Sequence, residues 1–493
     1  MSESKSSYLQ VVKATSIFGG VQFFSIIISL IRSKIIAVLI GPTGMGIAGL
    51  LNTTVGLLSG FTNFGLDVSA VKSIASINAE EATIKLSKEI SVLNRLIWIT
   101  GIVGTLVTLV FSGWLSKITF GNNDYRNAFI WLSIVLLFKQ LANGHLAVLQ
   151  GLRKLKFLAQ ANLFGNLFGL LITIPFYYYW KIDAIVPAII ISSVVSLFFT
   201  WFYYNKNNIK TIILTNAEVF SEGKSLLKLG VSLSIISLIT LISGYILQVY
   251  IGNTKGVGEV GLFSAGFLII NNYVGLVFNA MGTDYYPRLS AINQDNDKIR
   301  VAVLQQALIA VLIITPIIVL FITFAPFIIK VLYSSKFSPI ISMVNFGILG
   351  MLFKAVSWSM GYILIAKGDS KLFIKTSISF NSLFLMINIM GYYFYGLQGL
   401  GVTFTLNFMI HFFSLKIITF KKYDFYFDKA FYKTFLFCIF LCVFTFLFSH
   451  IKFPVLKYGL MSIVIVISTL FTVYELNKKI DFKSIIIKLK NRK

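Results

Sequence analysis

Acidic residues are scarce in this chain: 18 Asp and Glu stand against 43 Lys and Arg, a net charge of +25. The scarcity leaves basic residues inside apolar stretches without acids to neutralise them. Cysteine is almost absent. Cys438 and Cys442 lie four residues apart, on one face of a helix, where they cannot easily bridge each other. Two thiols make no metal site, so they read as small apolar fillers. Long polar stretches are missing too, which excludes a soluble domain of useful size. No expected extracytoplasmic loop exceeds roughly a dozen residues, which argues against a membrane polymerase or glycosyltransferase. No metal-ligand or nucleophile motif is recognised, and the chain is expected to be no enzyme.

What the chain has is hydrocarbon. Of its 493 residues 57% are hydrophobic, with a mean hydropathy of +0.84. Apolar runs recur along its length, each long enough for a ~30 Å hydrocarbon core. About fourteen candidate spans are read, near 14–40, 45–66, 92–115, 127–150, 157–179, 183–204, 229–251, 259–283, 303–329, 339–366, 374–394, 397–415, 434–449 and 456–474. The first run is too long for a signal-peptide core and no small-residue cleavage site follows, so no cleavable leader is expected.

The basic excess is distributed, not uniform. With the N-terminus assigned to the cytoplasm, about 30 Lys and Arg fall on the cytoplasmic side and about 8 outside. Arg153, Lys154 and Lys156 share one short loop, and a basic tail closes the sequence. The bias predicts a multi-pass membrane protein with both termini cytoplasmic. It makes the charge an orientation signal with attraction to anionic lipid, and no nucleic-acid partner is expected.

Five basic residues remain inside the spans: Arg32, Lys34, Arg95, Lys139 and Lys354. A charge at the bilayer centre costs about 2.5–3.5 kcal/mol on insertion scales. Lys139 and Lys354 lie ~20 Å from the cytoplasmic end of their spans, too deep for a lysine stem to snorkel out easily. Arg95 lies nearer the cytoplasmic rim, where snorkelling is the plainer reading. Together the five predict a wet, positive cavity that receives an anion such as a pyrophosphate. Asp67, Glu259 and Asp284 lie close to span ends, as candidates for gating or for coupling to an H+ or Na+ gradient, or simply solvated. No cofactor is expected.

A weak repeat organises the chain. Ile40-Gly41-Pro42-Thr43-Gly44-Met45-Gly46 returns near Ile251-Gly252-Asn253-Thr254-Lys255-Gly256-Val257-Gly258, with one insertion. Ala75 and Ser290, Leu137 and Leu352, Lys156 and Lys371, and Asn166 and Asn381 are each 215 residues apart. A constant offset is better evidence than any single match. The expected fold is an all-α polytopic membrane protein. Two six-helix lobes are related by a parallel pseudo-repeat, with two extra C-terminal helices. The expected boundaries are 1–205 and 229–420 for the lobes, 206–228 for a cytoplasmic linker, 421–475 for the extra helices and 476–493 for the basic tail. Lys139 and Lys354 become pseudo-equivalent.

Three further features are read and set aside. Gly44-Met45-Gly46-Ile47-Ala48-Gly49 spells a dinucleotide fingerprint without a strand before it, so the glycines read as helix-packing residues. His145 and His411 sit within spans and read as packing histidines. Pro175, Pro187, Pro316 and Pro326 fall inside spans and free backbone carbonyls, as kinks or hinges.

Several stretches resemble a known family. They are Lys34-Ile35-Ile36-Ala37 leading to Gly41-Pro42-Thr43-Gly44-Met45-Gly46; Phe120-Gly121-Asn122-Asn123-Asp124-Tyr125; Gly151-Leu152-Arg153; Tyr333-Ser334-Ser335-Lys336-Phe337; and Lys354 through Gly361-Tyr362-Ile363-Leu364-Ile365-Ala366-Lys367. In order and spacing they resemble Wzx-type O-antigen translocases, polysaccharide lipid flippases of the multidrug/oligosaccharidyl-lipid/polysaccharide exporter superfamily. The similarity is strongest to the branch that handles the enterobacterial common antigen lipid. The resemblance spans roughly residues 1–420 and carries Lys34 and Lys354; Arg32, Arg95 and Lys139 rest on the charge argument alone. It implies flipping of an undecaprenyl-pyrophosphate-linked glycan by alternating access, with a polysaccharide polymerase and chain-length proteins as partners. A lipid II flippase, a multidrug exporter and an O-antigen polymerase stand as alternatives.

Overall fold

A backbone inside hydrocarbon must satisfy its own N–H and C=O groups, and a helix does so residue by residue. The computed structural model describes residues 24–80, 83–207 and 211–479. Among them every regular element is helical, and the chain is an all-α polytopic membrane protein. The expected span near 14–40 is described only from residue 24, and the basic tail from 480 onward lies outside the described residues.

Helix α1 covers 24–39. There follow α2 (Gly41–Asn63), α3 (Leu66–Ala79), α4 (Thr83–Val110), α5 (Ser112–Phe120), α6 (Arg126–Gly151), α7 (Leu155–Trp180) and α8 (Ile185–Asn205). Then come α9 (Asn216–Lys255), α10 (Val257–Leu268), α11 (Leu276–Ala291), α12 (Asn296–Leu332), α13 (Ile340–Ala366), α14 (Ser370–Tyr423), α15 (Lys429–Phe448) and α16 (Pro454–Lys479). Among the described residues, ten continuous helical stretches are long and apolar enough to cross a membrane.

Two of the ten are double. Leu155–Asn205 joins α7 to α8 through a single 3-10 turn, Lys181–Ala184. Helix α14 has 54 residues, about 80 Å if straight, against a core of ~30 Å. It folds back at Gly396, whose φ of +57° and ψ of −139° suit only glycine. The returning arm lies so close that a Cβ on Gly399 would overlap the Gly391 carbonyl, and Thr403 Oγ1 donates to Asn388 Oδ1 at 2.8 Å.

Two other spans are broken. Between α2 and α3, Phe64 and Gly65 are both left-handed, at φ 51° and 68°. Between α10 and α11 the chain makes a π turn, Ile269–Val274. Such breaks expose backbone groups and occur preferentially at functional positions.

Packing gathers the chain into two compact units. Among the described residues, the first holds those up to Gly261 with Leu332–Ser334; the second holds Leu262–Val331 and those from Ser335 to 479. Helix α9, read from the repeat as opening the second lobe, packs in the first unit. Gly230 meets Gly65 backbone to backbone, Thr53 Oγ1 donates to Gln248 Oε1 at 3.0 Å, and Lys88 pairs with Glu222 at 2.9 Å. The expected linker 206–228 carries the first turns of α9 from Asn216, opened by a capping box of Thr215 and Glu218. The Gly44–Gly49 fingerprint lies within α2, where a Cβ on Gly46 would strike the Val257 carbonyl of α10.

In the second unit, α12 runs through Pro316 and Pro326. Pro316 has no N–H for the carbonyl of Leu312, four residues back. Thr472 of α16 supplies the missing donor at 2.9 Å, so an appended helix completes the bonding of α12. Cys438 and Cys442 are buried free thiols on α15.

Candidate functional site: basic residues within the spans

Lys354 sits near the middle of the 27-residue α13, about 20 Å from either end. Gly350, one turn earlier, lets the backbone of α14 approach at Thr405, whose Oγ1 donates to the Phe346 carbonyl at 2.6 Å. The lysine Nζ donates to Asn271 Oδ1 at 3.0 Å. It also faces the rings of Phe408 and Phe278, with centroids at 5.2 and 5.7 Å. Among the described residues no carboxylate lies within ion-pair distance of it.

Asn271 stands in the π turn, which aims its amide at α13, and its Nδ2 is buried without a partner. One neutral amide and two ring faces offset only part of the cost of placing a charge here; each ring contributes about 0.5–2 kcal/mol. The arrangement retains a cation that is solvated but not neutralised, the electrostatic condition for attracting an anion.

Lys139 lies equally deep in α6, and among the described residues it makes no hydrogen bond or ion pair. Its neighbour Gln140 is engaged instead. Gln140 Nε2 donates to Asn63 Oδ1 at 2.9 Å and to Thr100 Oγ1 at 2.8 Å, and Asn63 Nδ2 donates to Asp67 Oδ1 at 2.7 Å. Gln140, Thr100 and Asn63 are buried. This polar chain crosses α4, α6, α2 and α3 at the Phe64–Gly65 break. In each unit, then, an asparagine at the broken helix meets a polar side chain from the mid-region of another.

The other basic residues of the first unit have separate addresses. Arg32 Nη2 donates to the Asn166 carbonyl of α7 at 3.2 Å, beside Gly169. Lys34 Nζ donates to the Tyr333 carbonyl at 2.6 Å. Arg95 is exposed on α4. Glu259 stands in the first turn of α10, where negative charge suits the helix dipole. The side chain of Asp284 lies outside the described residues. The imidazole of His145 stacks on Tyr204 at 4.7 Å with Nδ1 unpartnered, and His411 meets Phe380 edge-on at 4.4 Å.

Asn63, Gln140 and Asn271 escaped the sequence reading, which followed formal charge. Uncharged amides inside apolar runs are the signal that marks them. Outside the spans, Asp369 accepts from Leu372 N, Lys422 and Tyr423, and the lysine holds its carboxyl below the usual range.

Comparison with known proteins places this geometry in context. A family model described as "Polysaccharide biosynthesis protein" matches residues 35–342. The Lipid III flippase of Escherichia coli (strain K12) is 21% identical over 362 residues, covering 71% of this chain and 84% of that protein. The solved structure of the lipid II flippase MurJ, in an inward closed conformation, superposes with a TM-score of 0.73 at 15% identity, over 94% of this chain and 99% of that one. An inward-facing multidrug resistance transporter of the MATE family, in the MOP superfamily, gives 0.69 at 16% identity, over 83% and 96%.

Proposed function

We propose that this chain, which belongs to the polysaccharide biosynthesis protein family, is a flippase for a lipid-linked oligosaccharide, carried on an undecaprenyl pyrophosphate, in a bacterial inner membrane. The observation that carries the reading is Lys354: a mid-membrane ammonium whose polar contact is a neutral amide. A pyrophosphate entering from the cytoplasmic leaflet would replace the Asn271 contact with a charge-assisted one, about twice as strong. Lys139, equally deep within the first unit, would add positive potential together with Arg32 and Lys34. The sugars would occupy the wet cavity while the lipid tail stays in the bilayer.

Alternating access would return the empty protein, driven by an H+ or Na+ gradient through Asp67, Glu259 or Asp284. On this reading both termini are cytoplasmic, the repeat relates two six-helix lobes, and a polysaccharide polymerase and chain-length proteins receive the product.

The test is reconstitution in vesicles with a lipid-pyrophosphate glycan whose flipping is followed by a sugar-specific probe. Loss of one charge-assisted bond, about 1.5–3 kcal/mol, should slow Lys354→Ala by roughly 10–100-fold. Flipping at the wild-type rate by folded Lys354→Ala and Lys139→Ala proteins refutes the pyrophosphate site. A second reading, lipid II as cargo, draws support from the MurJ likeness, which covers more of this chain than the MATE likeness does. Supplying the two lipids in parallel decides between them.

A further inference from the structure

Four helix ends meet in the second unit: the last turns of α12 at Pro326, the start of α13, the end of α15 and the start of α16. They line a cavity of about 320 Å³, and among the described residues no carboxylate lines it. Helix α13 opens on Pro339, which offers no side chain to cap it. The positive end of this 27-residue helix lies at the cavity, with the Ile341 N–H already donating to the Ser338 carbonyl at 3.1 Å. Such an end favours an anion but does not by itself make a site.

Asn345 is the second and independent observation. It is 8% exposed and lines the cavity one turn into α13. Its Oδ1 is buried with no partner, although buried polar groups are nearly always satisfied. Around it stand Ser342, Ser449 and Lys457. The Lys457 ammonium has the Tyr458 ring at 5.6 Å, and among the described residues no acid lies within ion-pair distance of it. His450 Nδ1 donates to the Phe446 carbonyl at 2.9 Å.

The donors ask for an anion, and the stranded Asn345 oxygen asks for a hydroxyl. We infer that this cavity binds a phosphate flanked by free hydroxyls, the chemistry of a glycerol phosphate, and that its source is a phosphatidylglycerol headgroup of the bilayer. The cavity lies at the ends of membrane helices. Beside Lys457, Phe453 and Val455 are 76% and 87% exposed, apolar side chains placed to enter a lipid interface. The inference gives α15 and α16 a binding role and stands whether or not the cargo proposed above is correct.

The experiment uses the full chain in mild detergent. Dihexanoyl phosphatidylglycerol, dihexanoyl phosphatidylcholine and glycerol 1-phosphate are titrated separately, and the thermal unfolding midpoint is read. Phosphatidylglycerol is expected to raise the midpoint saturably, with an apparent Kd about ten-fold weaker in Lys457→Gln, a substitution at a partly exposed position, and no saturable rise in Asn345→Leu. A rise with phosphatidylglycerol but not glycerol 1-phosphate supports the lipid source. A rise with glycerol 1-phosphate alone keeps the site but overturns that source. Equal rises with both phospholipids, or a phosphatidylglycerol response unchanged in Lys457→Gln, overturn the site.

Discussion

Removing the hydroxyl that α16 lends to α12 should cost stability only while Pro316 is in place. The carbonyl of Leu312 is buried, Pro316 denies it the usual helical donor, and Thr472 Oγ1 reaches it at 2.9 Å. Thr472→Val keeps the branch and removes the donor. Interhelical hydrogen bonds in membranes average about 0.6 kcal/mol and reach about 1.7, and this one satisfies an otherwise orphaned carbonyl, so a loss of about 1–1.5 kcal/mol is expected. In a Pro316→Ala background the restored N–H can serve the same carbonyl, and Thr472→Val should become nearly neutral. Unfolding in graded SDS, followed by fluorescence, measures all four corners of the cycle. A coupling of about 1 kcal/mol supports the reasoning. Additivity within about 0.3–0.5 kcal/mol refutes it, because two groups serving one carbonyl cannot be independent.

Other perturbations follow from particular contacts. Asn271→Leu removes the polar tether of Lys354 and leaves a deep charge with aromatic neighbours, so stability in detergent should fall by about 1–3 kcal/mol, measured by the same SDS titration. Gly46→Ala places a methyl on the Val257 carbonyl and should destabilise by about 1–3 kcal/mol or cut the folded yield read by size-exclusion chromatography. Arg95→Gln, at an exposed position, should leave stability and flipping close to wild type in the vesicle assay. The folded Asp369 carboxyl titrates below its unfolded value of about 3.9, so its contribution is full above that value and fades as pH falls through the lowered one. Asp369→Asn should therefore lower the unfolding midpoint at pH 7 but lose that difference in strong acid.

Much of the fold was legible because hydropathy is a local property: helices occupy the apolar runs wherever these are described, and Lys139 and Lys354 fall mid-helix as their positions in the apolar runs predict. The breaks were not legible. Phe64 is an ordinary helical residue by composition, and the backbone contact of Gly65 with Gly230, more than a hundred residues away, accompanies its left-handed turn. The π turn at Ile269–Val274 carries no proline or doubled glycine to announce it. The packing of α9 with the first unit rests in part on the Gly65–Gly230 contact, which only the folded chain reveals. Within the candidate site, formal charge pointed to Lys354, but the amide that holds it could be found only in three dimensions.

The hairpin of α14 has a practical meaning for anyone who labels or cuts this protein. Its arms are joined through one glycine, with no loop between them, and Gly391 and Gly399 touch just below the bend. An epitope, protease site or fluorophore inserted at 396 would split the pair apart instead of reporting which side of the membrane the bend faces. The arms must also travel together: a spring with no slack at its crest passes a displacement of one leg directly to the other. Sidedness is better read from a cysteine at Ser449 or Lys452, beyond the end of α15, where the chain already leaves the helix.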